Sequence, residues 1–137
     1  MRNYEIFATT ADTGIRFKGR DFCGLYENAL RGLNLLLFGS RHRETRGDES
    51  SHFSYRGDGP ENVLVNFLAE VLFLVYQKKK QVVALDFVHA DGCWLDARLQ
   101  LAPCLSTPKV DIKSATYHNL RVVEQNGMKS AAIVFDI

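Results

Sequence analysis

The stretch Val122-Val123-Glu124-Gln125-Asn126-Gly127-Met128-Lys129-Ser130-Ala131-Ala132-Ile133-Val134-Phe135-Asp136-Ile137 decides the fold. Asn126-Gly127 sits where a hairpin turns, and the run after it continues as an apolar strand to the last residue. A two-residue turn pairs Glu124 with Lys129, Val122 with Ala131 and Leu120 with Ile133. Carried further, that register puts Tyr117 opposite Asp136 and Thr116 opposite Ile137, with Lys113 just past the terminus on the same strand. Chain ends fray unless something ties them down. Here a strand delivers two carboxylates side by side, the Asp136 side chain and the α-carboxylate of Ile137. Adjacent anions repel unless a cation or a donor cluster lies between them, and hard cations such as Ca²⁺ or Mg²⁺ take oxygen ligands. A last strand whose Asp136 simply faces solvent is the more ordinary account of the same pattern.

Upstream, Asp91-Gly92 separates Gln81–Ala90 from Cys93–Pro103 and predicts another hairpin, of type I′. A two-residue turn there makes Val82/Leu101, Ala84/Leu99 and Val88/Leu95 facing apolar pairs. It also turns Asp86 into that side opposite Ala97, so either Asp86 has a partner or the register is off by one, and the register is the weaker assumption. Before this hairpin, Asp58-Gly59-Pro60-Glu61 has the form of a capping box with Asp58 as N-cap. Pro60 falls in the first turn, where its missing N–H costs nothing. Val63, Leu64, Phe67, Leu68, Val71, Leu72 and Val75 then give a helix with a broad apolar face. Lys78-Lys79-Lys80 closes it, and cations are favourable at a helix C-terminus without any RNA to bind.

Nearer the start, Asp21 caps a helix running to about Phe38, with Leu25, Ala29, Leu33, Leu36 and Leu37 at helical spacing. Tyr4 to Ala8 and Ile15 to Lys18 are short strands around the loop Thr9-Thr10-Ala11-Asp12-Thr13-Gly14. Gly39 to Ser51 is a mixed-charge segment expected to be a mobile loop, followed by a short strand near His52 to Arg56. This order predicts an α+β domain: two helices packed on one face of a largely antiparallel or mixed sheet. No internal repeat is present, and the chain reads as one domain over residues 1–137.

The 46% apolar content is enough for one core, and the net charge of +1 gives no support to non-specific binding of nucleic acid or anionic membrane. Cys23, Cys93 and Cys104 are odd in number and lack CxxC spacing, which argues against a disulfide framework or a zinc site and suits a reducing compartment. The opening Met1-Arg2-Asn3-Tyr4-Glu5 lacks the apolar stretch of a signal peptide, and no window reaches the ~20 apolar residues of a membrane span. The expectation is a cytoplasmic protein without membrane contact.

Three features could carry chemistry. One is the terminal carboxylate pair. Another is Asp12, which in isolation reads more simply as an Asx-turn in its own loop. The third is Lys113-Ser114-Ala115-Thr116-Tyr117-His118, whose lysine, tyrosine and histidine could do acid–base work but on an exposed strand are more often surface residues. GxSxG, P-loop, GxGxxG and HExxH patterns are missing, and His42, His52, His89 and His118 have no metal-ligand spacing. Cys23 near a helix start reads as a small buried residue rather than an activated thiol. Residue patterns by themselves stop at an α+β domain with a possible cation site.

Taken together, these segments resemble the archease family. Tyr4-Glu5 through Thr10-Ala11-Asp12-Thr13-Gly14-Ile15 looks like the family's Y-E…H-T-A-D-V-G-I opening, and Tyr26-Glu27-Asn28-Ala29 is similar to its E-A-F-E-N-A helix. Lys113-Ser114-Ala115-Thr116-Tyr117-His118-Asn119-Leu120 looks like its V-K-A-V-T-Y-H-G-L motif, and Asp136-Ile137 matches its D-[IV] ending. The likeness implies an activator rather than an enzyme. Archeases are accessory proteins of the RtcB-type RNA-splicing ligase, which joins tRNA halves and related broken RNAs with GTP and a divalent metal; they promote its guanylylation and its repeated turnover. RNA is then met indirectly, through the ligase. The resemblance implies a metal site at Asp12, Asp136 and Ile137, with Ca²⁺ first and Mg²⁺ or Mn²⁺ as alternatives, and a role in activation for Lys113. Thr9 stands where the family usually has His, Thr13 replaces Val, and Gly19-Arg20-Asp21-Phe22-Cys23-Gly24 departs from the usual acidic helix entry.

On this view the three oxygen-bearing groups are fewer than the six to eight ligands of Ca²⁺, so waters or partner groups complete the shell. Lys113 would offer its charge to a phosphate. Two other readings compete: a small metal-dependent hydrolase in which the cation activates water, and a metal-free chaperone-like interaction module.

Overall fold

A computed structural model describes residues 3–39 and 48–137. The described elements are β1 (Tyr4–Ala8), β2 (Thr13–Gly19), α1 (Phe22–Phe38), β3 (Glu49–Arg56), α2 (Pro60–Lys78), β4 (Lys80–Ala90), β5 (Trp94–Pro103), β6 (Ser114–Ala115), β7 (Val123–Gln125) and β8 (Met128–Asp136). The α+β class with two helices holds, and every strand pair is antiparallel. The strands divide into two sheets instead of one: β1-β2-β8-β6, with β7 also on β8, and β3-β5-β4. Apolar patterning marks which face of a strand is buried but not which strand edges meet, so it left this division open.

Both helices and both sheets share one core. Ile15 and Phe17 of β2 and Ile133 and Phe135 of β8 meet Leu25, Ala29 and Leu33 of α1, all buried. Val63, Leu64, Phe67, Leu68 and Val71 of α2 join the same cluster as Val82, Leu95, Leu99 and Leu101 of the second sheet. No helix among the described residues is long and apolar enough to cross a membrane.

Asp21 caps α1 as expected, its carboxylate accepting from the Gly24 amide at 2.7 Å. The capping box at α2 does not form. Gly59 is the N-cap and has no side chain to offer, while the Glu61 carboxylate accepts from the distant Val122 amide at 2.7 Å. A carboxylate bonds whichever donor the tertiary fold delivers, and the Val122 amide would otherwise lack a partner. The Asp58 amide instead donates to the Asn62 side chain at 3.2 Å. Of the expected mobile loop, residues 40–47 lie outside the described residues, and Glu49 to Ser51 already belong to β3.

Register departs from expectation in both hairpins. Val82 faces Leu101 as expected, but irregularities between Val82 and Ala84 and between Phe87 and His89 shift the rest. Leu85 then faces Leu99 and Asp86 faces Arg98, which puts Asp86 on the exposed side, accepting from Gln100 at 2.6 Å. In the last hairpin Glu124 does face Lys129, but pairing stops at Val123–Ser130. A turn at Tyr117–Leu120, with Asn119 at φ 52°, takes up chain there. Ser114 rather than Tyr117 therefore faces Asp136.

Candidate functional site

Strands β2, β8 and β6 of the five-stranded sheet build one end of it. Thr13 of β2 faces Phe135 of β8, so the next position along each strand sets Asp12 across from Asp136. Side chains alternate across a sheet. Ile15, Phe17, Ile133 and Phe135 are buried toward the helices, which leaves Asp12 and Asp136 on the opposite, outer face. Ser114 of β6 faces Asp136 from the other side. The Lys113 amide, one residue earlier, donates to the Asp136 carbonyl at 2.7 Å. Lys113 is therefore held beside the terminus, as expected, though by a register three residues from the one predicted. Asp12 is half-buried, while Asp136, Lys113 and Ile137 are exposed.

The loop carrying Asp12 is held by Thr9. Its hydroxyl accepts from the amides of Ala11 at 3.2 Å and Asp12 at 2.9 Å, and its own amide donates to the Asp12 carbonyl at 2.8 Å. Among the described residues nothing donates to the Asp12 carboxylate, so the Asx-turn expected for it is replaced by a threonine turn that leaves the carboxylate unused. Sequence reading missed this role of Thr9; its signal was a hydroxyl residue three positions before the aspartate. On β2 the next outward position is Gly14, where a side chain would collide with the Ile133 carbonyl and the Phe7 ring. The approach of three strands at this end depends on that glycine.

The remaining candidates lie elsewhere. The Tyr117 hydroxyl accepts from the Asn62 side chain at 2.8 Å, which ties it to the start of α2. Asn62, not singled out from the sequence, also accepts from the Tyr55 hydroxyl at 3.0 Å and so joins β3, α2 and the Tyr117 turn. The Thr116 hydroxyl donates to the Val134 carbonyl at 2.8 Å, and the His118 amide donates back to it at 3.3 Å. His52 pairs with Asp96 at 2.5 Å and His89 with Asp91 at 2.6 Å, both on the other sheet. Burial, helped by Asp21 and Glu27, pushes the Cys23 thiol up, away from an activated thiolate.

Among the described residues no group of three His, Cys, Asp or Glu side chains is placed to hold a metal. The terminal set offers two side-chain carboxylates, with the Ile137 α-carboxylate as a third group where Ile137 is the last residue. This all-oxygen set fits a hard cation and does not fit zinc or a soft metal.

Residues 4–137 match the sequence model of the Archease protein family (MTH1598/TM1083). The chain is 29% identical to the Protein archease of Thermoplasma acidophilum, over 98% of this chain and 94% of that protein. It is also 29% identical to that of Thermoplasma volcanium, over 98% of both. Its fold is similar to the solution structure of Methanobacterium thermoautotrophicum protein 1598, with a TM-score of 0.69 at 20% identity over the whole of both chains. It is similar too to the crystal structure of an archease from Thermotoga maritima described as a possible chaperone, with a TM-score of 0.67 at 19% identity over 100% of this chain and 98% of that one. With the family match running from the first strand through the Asp136-Ile137 end, the chain belongs to the archease family.

Proposed function

We propose that this protein is a non-enzymatic activator of an RtcB-type RNA-splicing ligase in the cytoplasm, promoting the ligase's guanylylation and multiple turnover. In this reading Asp12, Asp136 and the Ile137 carboxylate hold a divalent cation, Ca²⁺ before Mg²⁺ or Mn²⁺, and Lys113 offers its charge to a phosphate at the ligase's reacting nucleotide. The observation that carries it is the strand register that sets Asp12 across from Asp136, with the Lys113 amide on the Asp136 carbonyl. Two residues 124 positions apart (136 − 12) acquire a common row only through the β2–β8 pairing. Carboxylates at facing positions of neighbouring strands favour a cation between them.

The test is RNA ligation with catalytic amounts of an RtcB-type ligase, GTP and a divalent metal, with and without this protein. Stimulation is expected, and Asp12→Ala, Asp136→Ala and Lys113→Ala should each lose most of it. Adding one Gly after Ile137 moves the α-carboxylate by about 3.3–3.6 Å and should weaken Ca²⁺ binding by titration calorimetry. Full stimulation by the extended protein with unchanged Ca²⁺ affinity overturns the metal reading. A second reading, a chaperone-like module, is favoured by the description of the Thermotoga maritima archease. Suppression of client aggregation without stimulated ligation would decide for it.

A further inference from the structure

The outer face of the five-stranded sheet carries, away from the carboxylates, a groove of about 470 Å³. Two rows of facing residues floor it, Glu5–Arg16–Ala132 and Lys18–Ser130–Val123, and the segment from Asn119 to Val123 walls it. Three cations, Arg16, Lys18 and Arg121, meet one anion there, Glu5. Arg16 is partly engaged, 3.7 Å from the Glu5 carboxylate and 4.4 Å above the Phe7 ring. Lys18 and Arg121 form no ion pair among the described residues. Lys18 is half-buried, and with Arg121 it leaves the groove more positive charge than Glu5 offsets. Such an arrangement lowers the energy of an incoming anion more than a fully solvated lysine would. The amide side chains of Asn3 and Asn119 at the rim add uncharged donors.

We propose that this groove binds the phosphate backbone of single-stranded RNA and that the strand runs along β2 toward Asp12. From Lys18 to Asp12 is six residues of strand, about 20 Å, so a bound strand would span both features on one face. Cations on β2 and on the segment that leads into β7 suit an extended polyanion. The choice of RNA over an acidic peptide rests on the ligase-activator reading, whereas the anion chemistry does not.

The probe is a short fluorescein-labelled single-stranded RNA, followed by anisotropy in EDTA over a salt series. Lys18→Met with Arg121→Glu should weaken binding about tenfold or more at low salt. Lys18→Ala with Arg121→Ala should reduce the slope of log K against log salt by about 1.4, the loss of two single-strand phosphate contacts. Lys78→Ala with Lys109→Ala, the same charge change elsewhere, should leave binding within about twofold. Arg121→Glu alone, at an exposed position, covers the case in which Lys18 variants fold poorly. The proposal is overturned if the unmodified protein fails to bind, if the remote pair weakens binding as much, or if poly-glutamate competes as well as RNA. Loss of RNA binding in the groove variants without any ligase stimulation by the unmodified protein would keep the groove and remove the activator reading. Stimulation of the ligase without RNA binding would do the reverse.

Discussion

The hairpins at Asn126-Gly127 and at Asp91-Gly92 carry the same kind of turn signal, yet the chain passes through them differently. At Asn126-Gly127 both residues take positive φ, 54° and 75°, as a type I′ turn requires. Gly92 stays out of that region. There the Asp91 carboxylate accepts from the amides of Cys93 and Trp94, both at 2.8 Å, and pairs with His89 at 2.6 Å. The Asp91 carbonyl accepts the Tyr26 hydroxyl at 2.6 Å, which pins the turn to α1. The first turn is exposed and has only its backbone preference to follow. The second is held by its own Asp91 carboxylate, by His89 and by Tyr26 of α1, and these bonds outweigh the backbone preference.

Tyr26 is the strongest lever on this contrast. It is fully buried, burial raises its phenol pKa, and the hydroxyl therefore remains a donor at neutral pH. Tyr26→Ala should destabilise by about 3–5 kcal/mol in urea melts, as for other large aromatic truncations. Tyr26→Phe removes only the bond to Asp91 and should cost about 1–2 kcal/mol; no loss would mean α1 does not hold the turn. Next in size, Gly127→Ala forces an alanine to φ 75° and should cost about 1 kcal/mol. Gly92→Ala faces only the Phe22 ring, 3.1 Å from the added carbon, and should cost less. The opposite ranking of the two glycines would break the comparison.

The smallest effect concerns pH. The His89 ring, then the amides of Cys93 and Trp94, hold the Asp91 carboxyl below its ordinary 3.8. A carboxyl with a depressed folded pKa stabilises above its unfolded value, and that contribution is lost as pH falls through the folded value. Asp91→Asn should therefore lower the melting temperature slightly at pH 7 and flatten its decline below pH 3.8. An unchanged acid profile would show that the carboxylate bonds contribute nothing to the turn.

The same distinction separates what could be read along the chain from what could not. Asp21 as a cap, the apolar face of α2 and the Asn126-Gly127 turn were legible because each depends on neighbours within about four residues. The α2 capping box failed because Glu61 is taken by Val122, from the far end of the chain. The position of Ser114 opposite Asp136 failed because the Tyr117–Leu120 turn resets the count between two correctly identified strands. Asp12, Lys113, Asp136 and Ile137 stand out in the sequence, and the strand pairing brings them to one end of a sheet. Thr9 and Asn62 do not stand out, since what they hold together is defined only once the strands have paired.

The amino-acid order by itself determined two amphipathic helices, most of the strands and the residues that carry charge at the chain's end, because these follow from periodicity and local bonding. Only the tertiary structure decided that the strands form two sheets and that β8 returns to lie between β2 and β6. That pairing sets Asp12 in the row of Asp136 and strings Arg16, Lys18 and Arg121 along one outer face. Strand edges offer the same backbone donors and acceptors whatever the side chains. Which edges meet is therefore fixed by the shared burial of the whole core and by no local stretch of chain.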